Sequence, residues 1–191
     1  MSVVIHEISH GFIAEYFGDN TARRAGRLTL NPLKHLDLFG SIILPALLYF
    51  SAGFVFGWAK PIPYNPHNLR DRKWGTVAVA SAGVLANIFI AIIFGIFMRI
   101  GFLNGISEKV LLIPKMIVEI NLALALFNLV PIPPLDGSKI LFQILHKSFY
   151  PVVQLLENYS LIFFVIFIAF FSNYLYPILA FLYHIITGLS L

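Results

Sequence analysis

The chain has 191 residues, no cysteine and a formal net charge of +4. Hydrophobic residues make up 59% and charged residues 12%, with mean hydropathy +0.85; a soluble domain is roughly half apolar and a quarter charged. This excludes disulfide scaffolds and thiolate metal sites and gives no dense basic face for nucleic acid. It points to one all-α membrane domain over residues 1–191, with cationic loops beside anionic lipid.

Met1 to Phe17 is expected as a helix ended by Gly18-Asp19-Asn20. It has no basic n-region, and His6 and Glu7 interrupt its apolar run, so it is not a signal peptide by pattern. Residues 18–36 are polar and basic, with Arg23, Arg24, Arg27 and Lys34. Leu38 to Phe56 is apolar and punctuated by Gly40, Pro45 and Gly53. It either crosses the bilayer or enters and returns, because irregular backbone is tolerated where protein covers it. Residues 57–75 form a loop carrying Lys60, Arg70, Arg72 and Lys73.

Thr76 to Phe102 has the length and apolarity of a span, and Val110 to Val130 is another, stopped by Pro131, Pro133 and Pro134. Gly137 to Tyr150 is short and amphipathic. Leu161 to Thr187 is apolar with a polar break at Ser172-Asn173 and Pro177, giving one long kinked helix or two short ones. At about 20 residues per crossing, the expectation is a polytopic bundle of four to six membrane segments, with a re-entrant or loop region between the first core helices. If residues 38–56 cross, the two basic loops fall on opposite sides and the positive-inside rule gives a tie.

Two short pieces carry the chemistry: His6-Glu7-Ile8-Ser9-His10 and Pro134-Leu135-Asp136-Gly137. His6 and His10, four apart, share a helix face. At about 100° per residue, Glu7 lies roughly 60° round from His10. Two neutral imidazoles can hold Zn²⁺ while the glutamate takes a proton from water. Position 13 is Ile and position 16 is Tyr, so no further histidine follows on the same helix. Glu15 sits about 140° round from His10 and faces elsewhere. The third ligand must come from His35, Asp37, Glu119 or Asp136. Asp136 fits best: it follows an apolar span and three prolines, and Gly137 beside it permits close approach. The plain alternative makes Asp136 the N-cap of a helix starting at Ser138.

With both motifs in view, the chain resembles the site-2 protease family of intramembrane metalloproteases, in the bacterial and archaeal branch without a PDZ domain. The resemblance rests on His6 to His10 and on Asn128-Leu-Val-Pro131-Ile-Pro-Pro-Leu-Asp136-Gly137. Gly26-Arg27-Leu28-Thr29-Leu30-Asn31-Pro32 and Gly57-Trp58-Ala59-Lys60-Pro61 are also similar, so coverage runs from His6 to about residue 140. The resemblance implies zinc on His6, His10 and Asp136, Glu7 as general base, and Asn128 facing the active site to hold substrate; helix packing is its alternative. Where the family often has Ala-Gly-Pro-x-x-Asn, this chain has Ala82-Gly83-Val84-Leu85-Ala86-Asn87, with Val for Pro. Site roles for Asn87 and Asn121 stay open, and His67, His146 and His184 are expected to pack or sit at the interface.

The expected organisation is a catalytic core over residues 1–140 and C-terminal membrane helices over 150–188. The expected function is zinc-dependent hydrolysis of peptide bonds in transmembrane or signal-peptide-like helices. The partners are then a membrane protein or peptide substrate and the bilayer, with no nucleic acid. The location is the membrane, the prokaryotic plasma membrane by resemblance. The rival class is a non-proteolytic metal-binding membrane protein or transporter, which expects paired acids across several spans; these spans hold little besides Glu119. Pro45 and residues 57–66 are expected to help form a substrate groove. Only five residues precede His6, so a chain extended upstream by about a dozen apolar residues is expected to be more stable and active, the helix from Met1 being shorter than the roughly 30 Å hydrocarbon core.

Overall fold

The computed structural model describes residues 1–53 and 57–191, and the regular elements among them are all helical. Helix α1 spans Ser2–Tyr16 and a single turn, α2, spans Thr21–Arg24. A wide helical turn over Leu38–Ile43 leads into α3, Leu44–Ala52. The two longest elements follow, α4 over Arg72–Leu103 and α5 over Glu108–Leu129. Short helices α6 (Asp136–Ile144), α7 (Tyr150–Asn158) and α8 (Ser160–Ile166) precede α9 (Leu175–Thr187).

Helix α4 is the centre of the bundle and packs against α1, α5, α6 and α9. It starts four residues before the expected Thr76, because the Asp71 carboxylate accepts from the backbone N–H of Trp74 and caps the first turn. One face of α4 builds the core, where Ala91 and Met98 meet Val118, Leu122 and Tyr183. The opposite face exposes Leu85, Phe89, Ile93, Ile96 and Ile100. Apolar residues on both faces of a helix are the mark of a membrane span. By length and hydropathy α4 and α5 suffice to cross a bilayer, and a third crossing is made if α7 and the helix over Ser160–Phe171, bent by 78°, count as one. The remaining apolar helices are shorter, at Leu38–Ser51 and Leu175–Thr187. The apolar tail is two helices, broken at Ser172–Tyr174.

The two ends of the stretch from Leu38 lie side by side. Residues 54–56, the end of that expected segment, lie outside the described residues, but both of its ends are described. The Trp58 N–H donates to the Gly40 carbonyl at 3.0 Å, and Ser41 Oγ donates to the Trp58 carbonyl at 2.8 Å. Lys60 N–H donates to the His35 carbonyl at 2.8 Å, and Arg27 Nη2 to the Lys60 carbonyl at 2.7 Å. The chain at residue 58 is therefore back beside residue 40. Both basic stretches lie on one face of the bundle, which removes the tie in charge.

That face is knotted together by Asp19, which is fully buried. Its carboxylate accepts from the Thr21 hydroxyl and N–H, from Asn68 Nδ2 and from the backbone N–H of Asn65. Burial pushes this carboxyl up, but the hydrogen bonds outweigh burial and hold it below the usual carboxylate range.

Candidate metal centre

Helices α1 and α6 bring the two motifs together across 130 positions of sequence. His6 Nε2 and His10 Nε2 each lie 3.1 Å from Asp136 Oδ2. The two imidazole rings are 4.7 Å apart and nearly perpendicular, at 85°. His6, His10 and Asp136 are all buried, and their ligand atoms lie within 4.8 Å of one another. No other group of three such residues forms among the described residues.

Local sequence explains the aim of each side chain. The prolines end α5, and the chain turns at once into α6. At Gly137 a Cβ would lie 2.5 Å from the Leu129 carbonyl carbon, so only glycine lets the start of α6 close onto the end of α5. Asp136 is the first helical residue of α6, and Leu135, not Asp136, holds the N-cap position. The capping alternative therefore does not describe this side chain: its carboxylate turns inward to the histidines and Lys139.

The outer nitrogens of both rings meet α4. His10 Nδ1 lies 2.6 Å from the Val79 carbonyl, to which only an N–H can donate. In the neutral ring this tautomer turns the Nε2 lone pair toward Asp136 Oδ2. Two acceptors then face each other at 3.1 Å, an arrangement that a cation between them resolves. His6 Nδ1 lies 3.2 Å from Asn87 Nδ2, and its ring lies over Gly83, where a Cβ would come within 2.6 Å of both ring nitrogens. Two imidazoles with their outer nitrogens held, plus one carboxylate, are the donor set of catalytic zinc sites that keep an open position. Zinc bonds of about 2.0–2.2 Å suit ligand atoms at this spacing. The residues fit Zn²⁺.

Glu7 lies outside the cluster but lines the same cavity of about 120 Å³, with Asn128, Tyr64 and Lys139. One carboxylate oxygen of Glu7 accepts from the backbone N–H of Ile62 at 2.9 Å. Asn128 donates to the Leu124 carbonyl of its own helix at 2.9 Å while lining the cavity. The other candidate ligands are elsewhere. His35 is buried against the Thr29 carbonyl at 2.9 Å, Asp37 accepts from Gly40 N–H at 2.7 Å, and Glu119 sits 3.7 Å from Lys115 on α5. Glu15 pairs with Arg23. Asn121 donates to Ser2 Oγ at 2.9 Å, away from the cluster.

Sequence reasoning missed Lys139, whose Nζ lies 2.9 Å from Asp136 Oδ1. Its position three residues after the acid, on one face of a helix, was the available signal. Lys139, Tyr64 and Pro134 also line a second cavity of about 320 Å³, which opens toward Thr76 near the start of α4.

A metal-type triad of two histidines and a carboxylate, beside a glutamate and among long apolar helices, defines a membrane metallopeptidase. Residues 107–171 match the sequence profile of peptidase family M50. The chain is 36% identical to "Putative zinc metalloprotease YwhC" of Bacillus subtilis, over 94% of this chain and 82% of that protein. It is 31% identical to "Putative zinc metalloprotease Rip2" of Mycolicibacterium smegmatis, over 72% of this chain and 51% of that protein. No solved structure matches significantly. The chain belongs to peptidase family M50, the site-2 protease family.

Proposed function

We propose that this metallopeptidase hydrolyses peptide bonds in transmembrane or signal-peptide-like helices, with Zn²⁺ held by His6, His10 and Asp136. One observation carries the reading: two buried imidazole Nε2 atoms converge on one carboxylate oxygen, each at 3.1 Å, and Glu7 shares their cavity. When bound there, zinc supplies Lewis acidity to the scissile carbonyl and makes water acidic enough to deprotonate near neutral pH.

The rest is the work of side chains. Glu7 takes the proton of the attacking water and returns it to the leaving amine. The Ile62 N–H holds one of its oxygens and leaves the other free for this exchange. Asn128 has a second amide proton beyond the one bonded to Leu124, suited to a substrate carbonyl. Lys139 occupies the outer oxygen of Asp136, so that Oδ2 alone serves as ligand. The second cavity extends the first toward the basic face and offers room for substrate residues flanking the scissile bond.

Depth supports a substrate within the membrane. Val79 and Gly83 lie seven and eleven residues into α4 from Arg72, so the cluster sits about 10–16 Å along that helix from its basic start. A helical substrate must unwind locally to expose a carbonyl there. With both basic loops on one face, the positive-inside rule assigns that face to the cytoplasm of a prokaryotic plasma membrane.

The test is Glu7→Gln in detergent or liposomes with a transmembrane peptide substrate. Zinc content should hold at one per chain while cleavage falls by about 10²-fold or more. Cleavage at the wild-type rate removes the proposed mechanism. Zinc binding by the wild type with no cleavage of any membrane peptide favours the metal-binding or transport class instead. Asn128→Ala should lower turnover on the order of 10²-fold and leave zinc content unchanged.

A further inference from the structure

Asn87 lies in the middle of α4, a helix long and apolar enough to cross a membrane, and is fully buried. A polar side chain in that setting is costly unless it has a partner. Its Nδ2 has one, His6 Nδ1 at 3.2 Å. Its Oδ1 has none among the described residues. The neutral imidazole carries one proton, and the tautomer decides which of the two amide atoms suits it. When His6 Nε2 points at Asp136 with its proton, Nδ1 accepts from the amide. When Nε2 serves as a metal ligand, the proton moves to Nδ1, which then needs an acceptor. The unpartnered Oδ1 of the same amide meets that need after half a turn about its terminal bond.

We propose that Asn87 is the positioning residue of His6: its amide oxygen accepts from His6 Nδ1–H and holds Nε2 as the ligand of a divalent transition-metal ion. The proposal rests on the reading of His6, His10 and Asp136 as the metal site. Val79, Gly83 and Asn87 are spaced four apart and form one stripe of α4. Each element of the stripe has a part. The Val79 carbonyl holds His10 Nδ1, Gly83 leaves room for the His6 ring, and Asn87 stops that ring at its outer nitrogen. The two ligands of one motif are thus oriented by one face of the neighbouring helix, one through backbone and one through a side chain. Only the side-chain partner can be changed by substitution.

The experiment measures Zn²⁺ affinity by chelator competition and the visible spectrum of the Co²⁺-loaded protein, with the 191-residue chain in detergent. Asn87→Ala should weaken Zn²⁺ binding by about 10–100-fold, the usual cost of an outer-shell partner, and alter the Co²⁺ bands. Asn87→Asp keeps an acceptor for Nδ1–H and should bind Zn²⁺ within about threefold of wild type. A merely packing role predicts the reverse order, with alanine tolerated and the buried acid harmful. Asn87→Ser is the alternative loss variant should alanine fail to fold, since its short hydroxyl bonds its own helix. Wild-type affinity and spectrum in the alanine or serine variant overturn the proposal, as does equal loss in the aspartate variant. A wild-type protein that binds neither ion overturns the metal reading itself, and this proposal with it.

Discussion

Two buried carboxylates, Asp19 and Asp136, sit in one molecule and do different things. Asp19 is fully buried and Asp136 is 5% exposed, so burial does not separate them. Their partners do. Asp19 faces donors only: a hydroxyl, a side-chain amide and two backbone N–H groups, all from the loops it ties together. Asp136 faces two imidazole nitrogens and one ammonium. At least one of those imidazoles, in its neutral form, presents a lone pair. A carboxylate surrounded by donors is complete; one facing lone pairs calls for a cation. The chemistry of a buried acid is legible in what it faces, not in how deeply it lies.

The largest test of this contrast is Asp136→Ala. Zinc affinity should fall by more than the roughly 10–100-fold that loss of an outer partner costs, with cleavage lost and helical content kept. One tight zinc per chain in that variant would break the assignment of the third ligand. Asp19→Ala should do the opposite. It strands several buried donors and should cost on the order of 1–3 kcal/mol of stability, with zinc stoichiometry unchanged in the folded fraction. Thermal unfolding with metal analysis on both variants reads the two effects side by side.

Lys139→Met sharpens the comparison, because it removes the ammonium, the one partner of Asp136 that can only donate. Cleavage should fall by about tenfold, with partial rescue by Lys139→Arg. The smallest effect is in pH. Asp19 is held below the usual carboxylate range when folded, so its contribution to stability is present above the unfolded value of about 3.9 and is lost as pH falls through the lower folded value. The stability difference between wild type and Asp19→Asn should stay level from about pH 7 to 5 and shrink below about 4. A difference that grows on acidification would refute the assigned direction.

Much of this was legible in the sequence because it is local. The spacing of His6 and His10, the apolar lengths of α4 and α5, and the proline stop before Asp136 are each contained in one stretch. What was not legible depends on distant pairs. Whether residues 38–56 cross or return is decided by the Trp58–Gly40 and Arg27–Lys60 hydrogen bonds, and no hydropathy window contains those pairs. The partners of His10 and His6 lie 69 and 81 positions away on α4. Asp136 was open to a capping role because capping and ligation both place an acid at a helix start. Only the orientation of its carboxylate distinguishes them. Of the residues expected to help form a groove, Pro61, Ile62 and Tyr64 line the cavity at the site, and Pro45 packs near Gly57.

The returning segment has a consequence for the surrounding lipid. Its helical part, Leu38–Ser51, is about 21 Å long at 1.5 Å per residue, against a hydrocarbon thickness of about 30 Å. Leu38, Phe39, Ile42, Leu47 and Phe50 point outward from it. A helix of that length inserted from one face would take up lateral area in one leaflet and none in the other. Acyl chains beneath it would then splay or shorten to fill the space, a local thinning of the bilayer.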